Sequence, residues 1–264
     1  MKMNNILAVM MATGVMLSGQ ATAADKSAAT FTSAQEARIG EVARDYLLAH
    51  PEILVEVSQK LQAQQEEEQQ QAMTAAVIKN QAALLMDKGT PSYGPADAKV
   101  TVVEFFDYQC IYCAHLAPAL EKVIKANPNV RFVFKEFPIF GQRWPASLKA
   151  AKTGLQIWKQ KGADAYLQYH NAIYATGHNE GRLTDSDISK AASAVKFDAS
   201  KAADVQDTLD AINTLAQQLG FGGTPALVVM PTTGAYANNV TVIPGFTSSA
   251  ALQAAINKAA GAKE

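Results

Sequence analysis

The chain has 264 residues, of which 48% are hydrophobic and 18% are charged, and its formal net charge is −1. This length suggests one or two domains with enough apolar residues to bury a core. The near-neutral charge gives no electrostatic footprint for nucleic acid and implies no strongly charged partner.

The N-terminus has the layout of a secretory signal peptide. Lys2 precedes the apolar run ILAVMMATGVML, and the small residues ATA follow as a cleavage pattern. The run has about a dozen residues, short of the roughly 20 that span a bilayer, which disfavours a membrane anchor, and no later segment is long and apolar enough to cross a membrane. We expect residues 1–23 to be removed and the mature protein to work in the periplasm, where disulfides form and persist.

A helical module without a core of its own is predicted for residues 24–61. SAQE fits a capping box with Ser33 as N-cap, and Pro51 suits the first turn of a second helix. The second helix carries one apolar stripe, formed by Leu54, Val57 and Leu61. About 35 residues are too few to bury this stripe alone. We therefore expect a homo-oligomer, a dimer or a trimer, with folding back onto the main domain as the alternative.

Residues 62–87 are predicted to form a helical stalk. The segment QAQQEEEQQQ, Gln62–Gln71, contains no large apolar residue, and a helix that is polar all round normally bridges through solvent. Apolar spacing resumes with Met73, Val77 and Leu84 before Gly and Pro residues break the helical pattern.

An α/β domain is predicted for residues 88–264. VTVVEFF, 100–106, is typical of a buried strand, and the residues from Cys110 onward have the spacing of a helix interrupted by Pro118. VRFVFKEF, 130–137, is a second strand. Two strands joined by a helix predict a parallel βαβ unit with a right-handed crossover.

The rest of the α/β domain contains a helical insertion at about 145–219, with a helix cap at Thr184 or Asp185. ALVVM, 226–230, and VTVI, 240–243, are predicted to pair as a hairpin. A last helix follows.

Cys110 and Cys113 are the two cysteines of the sequence. A structural disulfide across two residues would constrain the unfolded chain little, and a zinc site needs about four ligands whereas no second CxxC is present. Redox catalysis is the third interpretation. Where a strand ends and a helix starts, the helix dipole favours the Cys110 thiolate, and Cys113 one turn later serves as the resolving thiol. This context favours redox chemistry, and the other two interpretations stay open.

The segment VVEFFDYQCIYC, Pro118 and GGTPALVV at 222–229 resemble the signatures of the DsbA family. The N-terminal segment RDYLLAHPEILVEVSQKLQ resembles the oligomerising region of ScsC-type members. The resemblance implies a thioredoxin fold with a helical insertion, preceded by an N-terminal helical oligomerisation module and stalk.

The resemblance also implies roles for residues outside the CxxC motif. Pro225 would be a cis proline that faces the cysteines, and the backbone of Thr224 would pair with an extended client segment. Glu104 would relay the proton of the resolving cysteine. Lys135 is expected to be its ion-pair partner, because a carboxylate in an apolar strand is costly unless paired; exposure of both side chains at strand edges is the alternative.

The direction of the thiol:disulfide exchange is indicated by the two residues that tune the cysteines, Ile111 and Tyr112. The resemblance implies Pro-His at these positions in DsbA-type oxidases, so the histidine donor between the two cysteines is absent here. We expect an isomerase or reductase, with a dithiol oxidase as the alternative. A client-binding chaperone and a Cu(I)-binding copper-tolerance protein are further alternatives. The expected partners are exported cysteine-containing clients and a membrane redox partner, with no cofactor and no resident metal.

Overall fold

The computed structural model describes residues 31–261, so the predicted signal peptide at 1–23 lies outside the described residues. The chain divides into two units, one ending at Lys60 and the other beginning at Leu61. Between residues 31 and 261, no helix combines the length and the apolar character needed to cross a membrane.

The first unit contains α1 (Ser33–Ala49) and the beginning of α2 (Glu52–Lys79). Thr32 is the N-cap of α1. Its hydroxyl accepts a hydrogen bond from the Gln35 N–H at 3.3 Å, and the Gln35 side chain accepts one from the Thr32 N–H at 2.8 Å. The expectation of Ser33 as N-cap is therefore wrong by one residue, because Thr32 provides the same hydroxyl one position earlier.

Nine large apolar side chains of the first unit are exposed, with exposed fractions from 37% to 74%. They are Phe31, Ile39, Val42, Tyr46, Leu47, Leu48, Leu54, Val55 and Val57. Three of the residues on α1, at 39, 42 and 46, recur at intervals of three and four and so lie along one side of the helix. Exposed apolar surface of this extent marks an interaction site.

The second unit is a five-stranded sheet with helices on both faces. The strands are β1 (Ser92–Tyr93), β2 (Val100–Phe106), β3 (Val130–Glu136), β4 (Ala226–Pro231) and β5 (Thr241–Ile243). Besides the end of α2, the helices are α3 (Gln81–Leu85), α4 (Ile111–Ala126), α5 (Pro145–Lys161), α6 (Ala163–Ala175), α7 (Asp185–Ala194), α8 (Gln206–Gln218) and α9 (Ser249–Ala259). Short 3-10 turns lie at Ala199–Lys201 and Ala237–Asn239.

The strands are ordered β1-β3-β2-β4-β5 across the sheet. β2 and β3 are parallel and connected through α4, which confirms the predicted βαβ unit. β4 is antiparallel to β2, and β5 is antiparallel to β4, so the predicted hairpin is formed. The edge strand β1 is absent from the sequence-based prediction, because two residues show no periodicity.

The sheet separates two apolar layers, since successive residues of a strand point to opposite faces. On the first face, Val102 and Phe106 of β2 pack with α4, α5, α6, α7 and α9. On the second face, Val103 and Phe105 pack with α3, α8 and the end of α2. The α/β class with a helical insertion between β3 and β4 is thereby confirmed.

The segment 62–87 has two halves with different surroundings. Residues 61–69 are exposed, as expected for a polar helix. In the other half, Met73, Val77, Leu84 and Leu85 are buried in the second-face layer, where Val77 and Leu84 have no exposed surface. The limits of the module and stalk stay a prediction, but this second half belongs to the core of the second unit.

Candidate active site

Cys110 lies in the turn between β2 and α4 and is the N-cap residue of α4, with φ −81° and ψ 120°. Its N–H donates to the Asp107 carbonyl at 3.0 Å. The buried Asp107 carboxylate holds the same turn: Oδ1 accepts from the Gln109 N–H at 2.8 Å. Oδ2 accepts from the Phe140 N–H at 2.9 Å and from the Ser147 hydroxyl at 2.8 Å. Sequence reasoning missed Asp107, although an aspartate just after a strand is typical of such side-chain-stabilised turns.

The two thiols differ in accessibility and acidity. Both are free, and Cys110 is 4% exposed whereas Cys113 has no exposed surface. The Cys110 Sγ–H donates to the Thr224 carbonyl at 3.2 Å. As a thiolate, Cys110 accepts from the Cys113 thiol and from the N–H groups of Tyr112 and Cys113, which lowers its pKa to about 6. Burial raises the pKa of Cys113 well above its usual range, so Cys110 is the more acidic thiol of the pair.

The Thr224–Pro225 peptide bond is cis, and Pro225 directly precedes β4. Phe105 of β2 lies opposite Ala226 of β4, so the end of β2 that leads to the cysteines lies beside Pro225. The sheet register therefore brings the Thr224 carbonyl to the Cys110 sulfur. The Thr224 hydroxyl is buried and makes no hydrogen bond of normal geometry within the described part of the chain, but it lies close enough to Cys110 to help lower the pKa of this thiol.

Glu104 lies in β2 with its side chain on the α4 side of the sheet, since it is two residues from Phe106. It is 2% exposed, and its Oε2 has no hydrogen-bond partner among residues 31–261. Burial raises the pKa of Glu104 to about 8, with a smaller contribution from the charge of Cys110. Glu104 in turn raises the pKa of Cys113, so the carboxyl and both thiols interact electrostatically.

Lys135 does not pair with Glu104, and that expectation is wrong. In the parallel register Glu104 lies opposite Phe134, so Lys135 points to the other face of the sheet. There its Nζ donates to Asp87 Oδ2 at 3.2 Å, to the Thr90 hydroxyl at 2.9 Å and to a backbone carbonyl at 3.1 Å. Burial lowers the pKa of Lys135, and the Asp87 charge acts in the opposite direction. The lysine anchors the segment before β1 to the sheet.

Ile111 and Tyr112 occupy the first two positions of α4. Tyr112 is 58% exposed, and its ring meets that of His115 edge to face at a centroid distance of 6.4 Å. An exposed aromatic ring next to Cys110 gives the site an apolar contact surface with a polar tip. Among the described residues, no three His, Cys, Asp or Glu side chains come close enough together to hold a metal ion.

Glu136, at the end of β3, is a second buried carboxyl that sequence reasoning missed. Its Oε1 accepts hydrogen bonds from the hydroxyls of Tyr108 at 3.0 Å and Tyr166 at 2.9 Å. Burial raises the pKa of Glu136 well above its usual range. Gly154 of α5 lies against it, because a Cβ at this position would be 2.5 Å from Oε1. This network joins the sheet to the helical insertion.

Two families match the sequence. Residues 86–233, more than half of the chain, match the thioredoxin family. Residues 35–68 match the family described as "Copper resistance protein ScsC N-terminal domain".

Solved structures agree with these matches. BcfH of Salmonella enterica Typhimurium is 47% identical with a TM-score of 0.75, covering 86% of this chain and 96% of that chain. ScsC of Proteus mirabilis in a transitional conformation is 29% identical with a TM-score of 0.59, covering 88% and 99%. A periplasmic thioredoxin-like protein from Salmonella enterica serovar Typhimurium is 28% identical with a TM-score of 0.56, covering 68% and 95%.

Curated relatives match over shorter stretches. Disulfide bond formation protein D of Bacillus subtilis is 32% identical over 91 residues, 33% of this chain and 39% of that protein. The Na(+)/H(+) antiporter NhaA 1 of Salinispora arenicola is 30% identical over 95 residues, 36% of this chain and 14% of the antiporter. The chain thus spans well under half the length of these two relatives. With Cys110, a buried Cys113 and a cis Pro225 together at one end of the neighbouring strands β2 and β4, the chain belongs to the thioredoxin family as a DsbA-like thiol:disulfide oxidoreductase of the ScsC type.

Proposed function

We propose that this oxidoreductase is a periplasmic disulfide isomerase or reductase that acts on misfolded exported proteins. The observation that carries the proposal is the combination of one reactive thiol, Cys110, with a separate helical unit whose apolar side chains are exposed. The thiol suits exchange with client disulfides. The exposed helices suit assembly of several such thiols around one client.

In the first step the Cys110 thiolate attacks a sulfur of a client disulfide. The client S–S bond breaks, a mixed disulfide forms with Cys110, and the other client sulfur leaves as a thiolate. The Thr224 backbone is proposed to pair with a client segment bound in an extended conformation; its carbonyl lies 3.2 Å from Sγ of Cys110, which supports this role. In isomerisation, a different client thiolate then attacks the mixed disulfide and regenerates Cys110.

In the reductive branch, Cys113 attacks the Cys110 sulfur, which releases the client thiol and leaves a Cys110–Cys113 disulfide. Cys113 must first lose its proton, although burial raises its pKa. Glu104 is the proposed acceptor. The charge of the Cys110 thiolate contributes to the raised pKa of Glu104, and that charge disappears in the mixed disulfide. The Glu104 pKa therefore falls at the stage when an acceptor is needed.

The proposed direction rests on the residues around the thiols. Ile111 and Tyr112 supply no histidine side chain to hydrogen-bond the Cys110 thiolate. A less strongly stabilised thiolate makes the dithiol form less favoured and the disulfide less oxidising. We infer that the protein exchanges and reduces wrong disulfides more readily than it donates its own.

Assembly is proposed to occur through residues 24–61. On α2, Leu54 and Val57 are 58% and 57% exposed, and with Leu61 they recur at intervals of three and four, the spacing of a helix–helix seam. Linking several sites in one oligomer raises the effective concentration of thiols around a bound client. A dimer and a trimer both meet this requirement.

The proposed location follows from the sequence of residues 1–23, which has the pattern of a signal peptide. The proposed disulfide exchange supports the same location, because client disulfides form and persist in oxidising compartments such as the periplasm. A protein that reduces clients becomes oxidised, so a membrane redox partner is proposed to return Cys110 and Cys113 to thiols.

The test is rescue of a scrambled, wrongly disulfide-bonded protein by the full mature chain, compared with the variant Leu54→Glu. Leu54 is exposed, so a charge there should leave each chain folded while it disrupts an apolar seam. Deleting residues up to 87 is a poorer perturbation, because Met73 and Val77 belong to the core of the second unit. The matched control is Gln59→Glu, which adds the same charge at an exposed polar position of α2.

We expect Leu54→Glu to lower the oligomer mass in sedimentation and to lose rescue of the scrambled protein, whereas Gln59→Glu keeps both. Oxidation of a small dithiol should be equal in all three proteins. Full rescue by a monomeric Leu54→Glu variant would contradict the assembly argument. If the parent oxidises reduced clients but rescues no scrambled protein, the function is that of an oxidase.

A second candidate function is Cu(I) binding, which the match of residues 35–68 to the copper resistance protein ScsC N-terminal domain favours. Two thiolates suit a soft Cu(I) ion. Anaerobic titration with Cu(I) against a competing chelator should then protect Cys110 from alkylation. Equal affinity of a Cys113→Ser variant would exclude a two-thiolate site.

A further inference from the structure

Gln109, the residue before Cys110, connects the redox turn to the loop at 176–184 between α6 and α7. It is 1% exposed. Its carbonyl accepts a hydrogen bond from the Glu180 N–H at 2.9 Å, and its Oε1 accepts one from the Gly181 N–H at 2.8 Å. We call this pair of hydrogen bonds the Gln109 clasp.

The peptide unit that joins Gln109 to Cys110 is held from two sides. Its oxygen accepts from Glu180 in the helical insertion, and its nitrogen donates to the Asp107 carbonyl at 3.0 Å in the redox turn. The plane of this peptide determines how Cys110 enters α4. The insertion therefore acts on the backbone next to the reactive sulfur without contact between side chains.

The loop adopts a backbone conformation that few sequences accept. Glu180 and Gly181 both have positive φ, +51° and +89°, and the first is uncommon for a residue with a Cβ. A Cβ at Gly181 would lie 2.7 Å from Nε1 of Trp144. Two consecutive left-handed residues turn two neighbouring N–H groups toward one residue, Gln109.

The side chain of Gln109 has an unused donor. Its Nε2 is buried and donates to no acceptor within residues 31–261. A buried donor without a partner is unfavourable compared with an apolar group of similar shape. The hydrogen bond that Oε1 accepts from the Gly181 N–H therefore explains why a glutamine, and not an apolar residue, occupies position 109.

We propose that Gln109 is a positioning residue for thiol:disulfide exchange: through the clasp, the insertion loop holds the Cys110 sulfur where the N-terminal amides of α4 stabilise its thiolate. The N–H groups of Tyr112 and Cys113 at the start of α4 help to lower the pKa of Cys110, and their effect depends on the orientation of Cys110 at the N-cap of the helix. The inference holds for exchange in either direction, so it does not stand or fall with the isomerase proposal.

The test uses two substitutions that open the clasp from opposite sides. Gln109→Met preserves length and burial, removes the acceptor and also removes the unused donor, so the chain should fold. Gly181→Ala displaces the loop through the contact with Trp144. The matched control is Gly162→Ala, which places a Cβ at a positive φ of +79° with nothing within 4 Å, in the same insertion between α5 and α6.

The readout is the rate at which iodoacetamide alkylates Cys110 in the reduced full-length protein, measured against pH and divided by its plateau rate. We expect both clasp variants to lower this ratio about threefold at pH 5, equivalent to half a pKa unit, and Gly162→Ala to leave it unchanged. The titratable groups that interact with Cys110 are Cys113 and Glu104, and all variants retain them. Folded clasp variants with the parental ratio would overturn the proposal.

A measurement on the unaltered protein covers the case in which a variant does not fold. If the clasp stabilises the thiolate, the thiolate must stabilise the clasp by the same free energy. Amide hydrogen exchange at Glu180 and Gly181, corrected for intrinsic rates, should then become better protected as Cys110 ionises. Protection that is constant across the Cys110 titration would overturn the proposal without any substitution.

Discussion

Replacing Glu104 with glutamine should make the stability of the reduced protein less dependent on pH and should raise it above neutral pH. Glu104 is buried, its Oε2 lacks a partner among the described residues, and Lys135 lies on the opposite face of the sheet. An ionised carboxylate at this position is therefore poorly compensated. A glutamine side chain has nearly the same shape but cannot ionise.

The magnitude follows from the raised pKa. The folded protein keeps the Glu104 proton up to about pH 8, whereas the unfolded chain releases it near pH 4.5. Between these values unfolding releases a proton, so stability falls as pH rises. At about 1.36 kcal/mol per pH unit, the loss is about 1 kcal/mol at pH 5 and about 5 kcal/mol above pH 8. The glutamine variant does not lose this stability at high pH. Its buried NH₂ group lowers the free energy of unfolding by about 1–3 kcal/mol at every pH.

The assay is urea unfolding followed by tryptophan fluorescence at pH 5, 7 and 8.5. The free-energy difference between Glu104→Gln and the parent should shift in favour of the variant by about 4 kcal/mol across this range. The shift should be smaller for the disulfide forms, because the Cys110 thiolate no longer raises the Glu104 pKa. Glu121→Gln, at a partly exposed position of α4, is the control for the loss of one carboxylate. A difference that is constant with pH would refute the argument, since Glu104 would then ionise in the folded protein as it does in the unfolded chain.

Three further predictions concern other parts of the second unit. Alkylation of Cys110 in the reduced protein should increase with pH around a midpoint near 6, because the Cys113 thiol and the first N–H groups of α4 stabilise the thiolate; a midpoint near 9 would contradict this. Lys135→Met should lower the free energy of unfolding at pH 7 by about 2 kcal/mol, because it leaves the half-buried Asp87 carboxylate without its cation. The same variant should keep the Cys110 midpoint, and a shifted midpoint would mean that the lysine acts across the sheet. Gly154→Ala should destabilise the protein by about 1–3 kcal/mol in urea unfolding, because its Cβ meets Glu136; unchanged stability would show that α5 can move away.

The centre of the site could be predicted from sequence because its signals are local. All seven residues of β2 are buried, and an apolar run of that length followed directly by CxxC indicates a strand that leads into a helix. The Thr224–Pro225 signature lies more than a hundred residues away, and its place beside Cys110 followed from the family resemblance. Periodicity alone would not have placed it there.

The failures around the site share one physical cause, which is contact between segments whose register the sequence does not reveal. A one-residue change in the pairing of two strands moves every side chain to the other face, so Glu104 and Lys135 were wrongly expected to meet. The actual partner, Asp87, follows α3 in the segment before β1. Gln109 likewise contacts a loop some 70 residues further along the chain, and no spacing pattern connects it with Gly181.

The dimensions of the two outer strands have a consequence for a protein that is proposed to work among misfolded chains. Such chains expose unpaired backbone groups and can pair with an exposed edge strand of another protein, which leads to aggregation. β1 has two residues and β5 has three, so an incoming strand can form only a few hydrogen bonds with either edge strand. Pro91 precedes β1 and Pro244 follows β5, and neither can donate a backbone hydrogen bond that would extend this pairing. The sheet is thereby protected from coaggregation with the polypeptides whose disulfides it would rearrange.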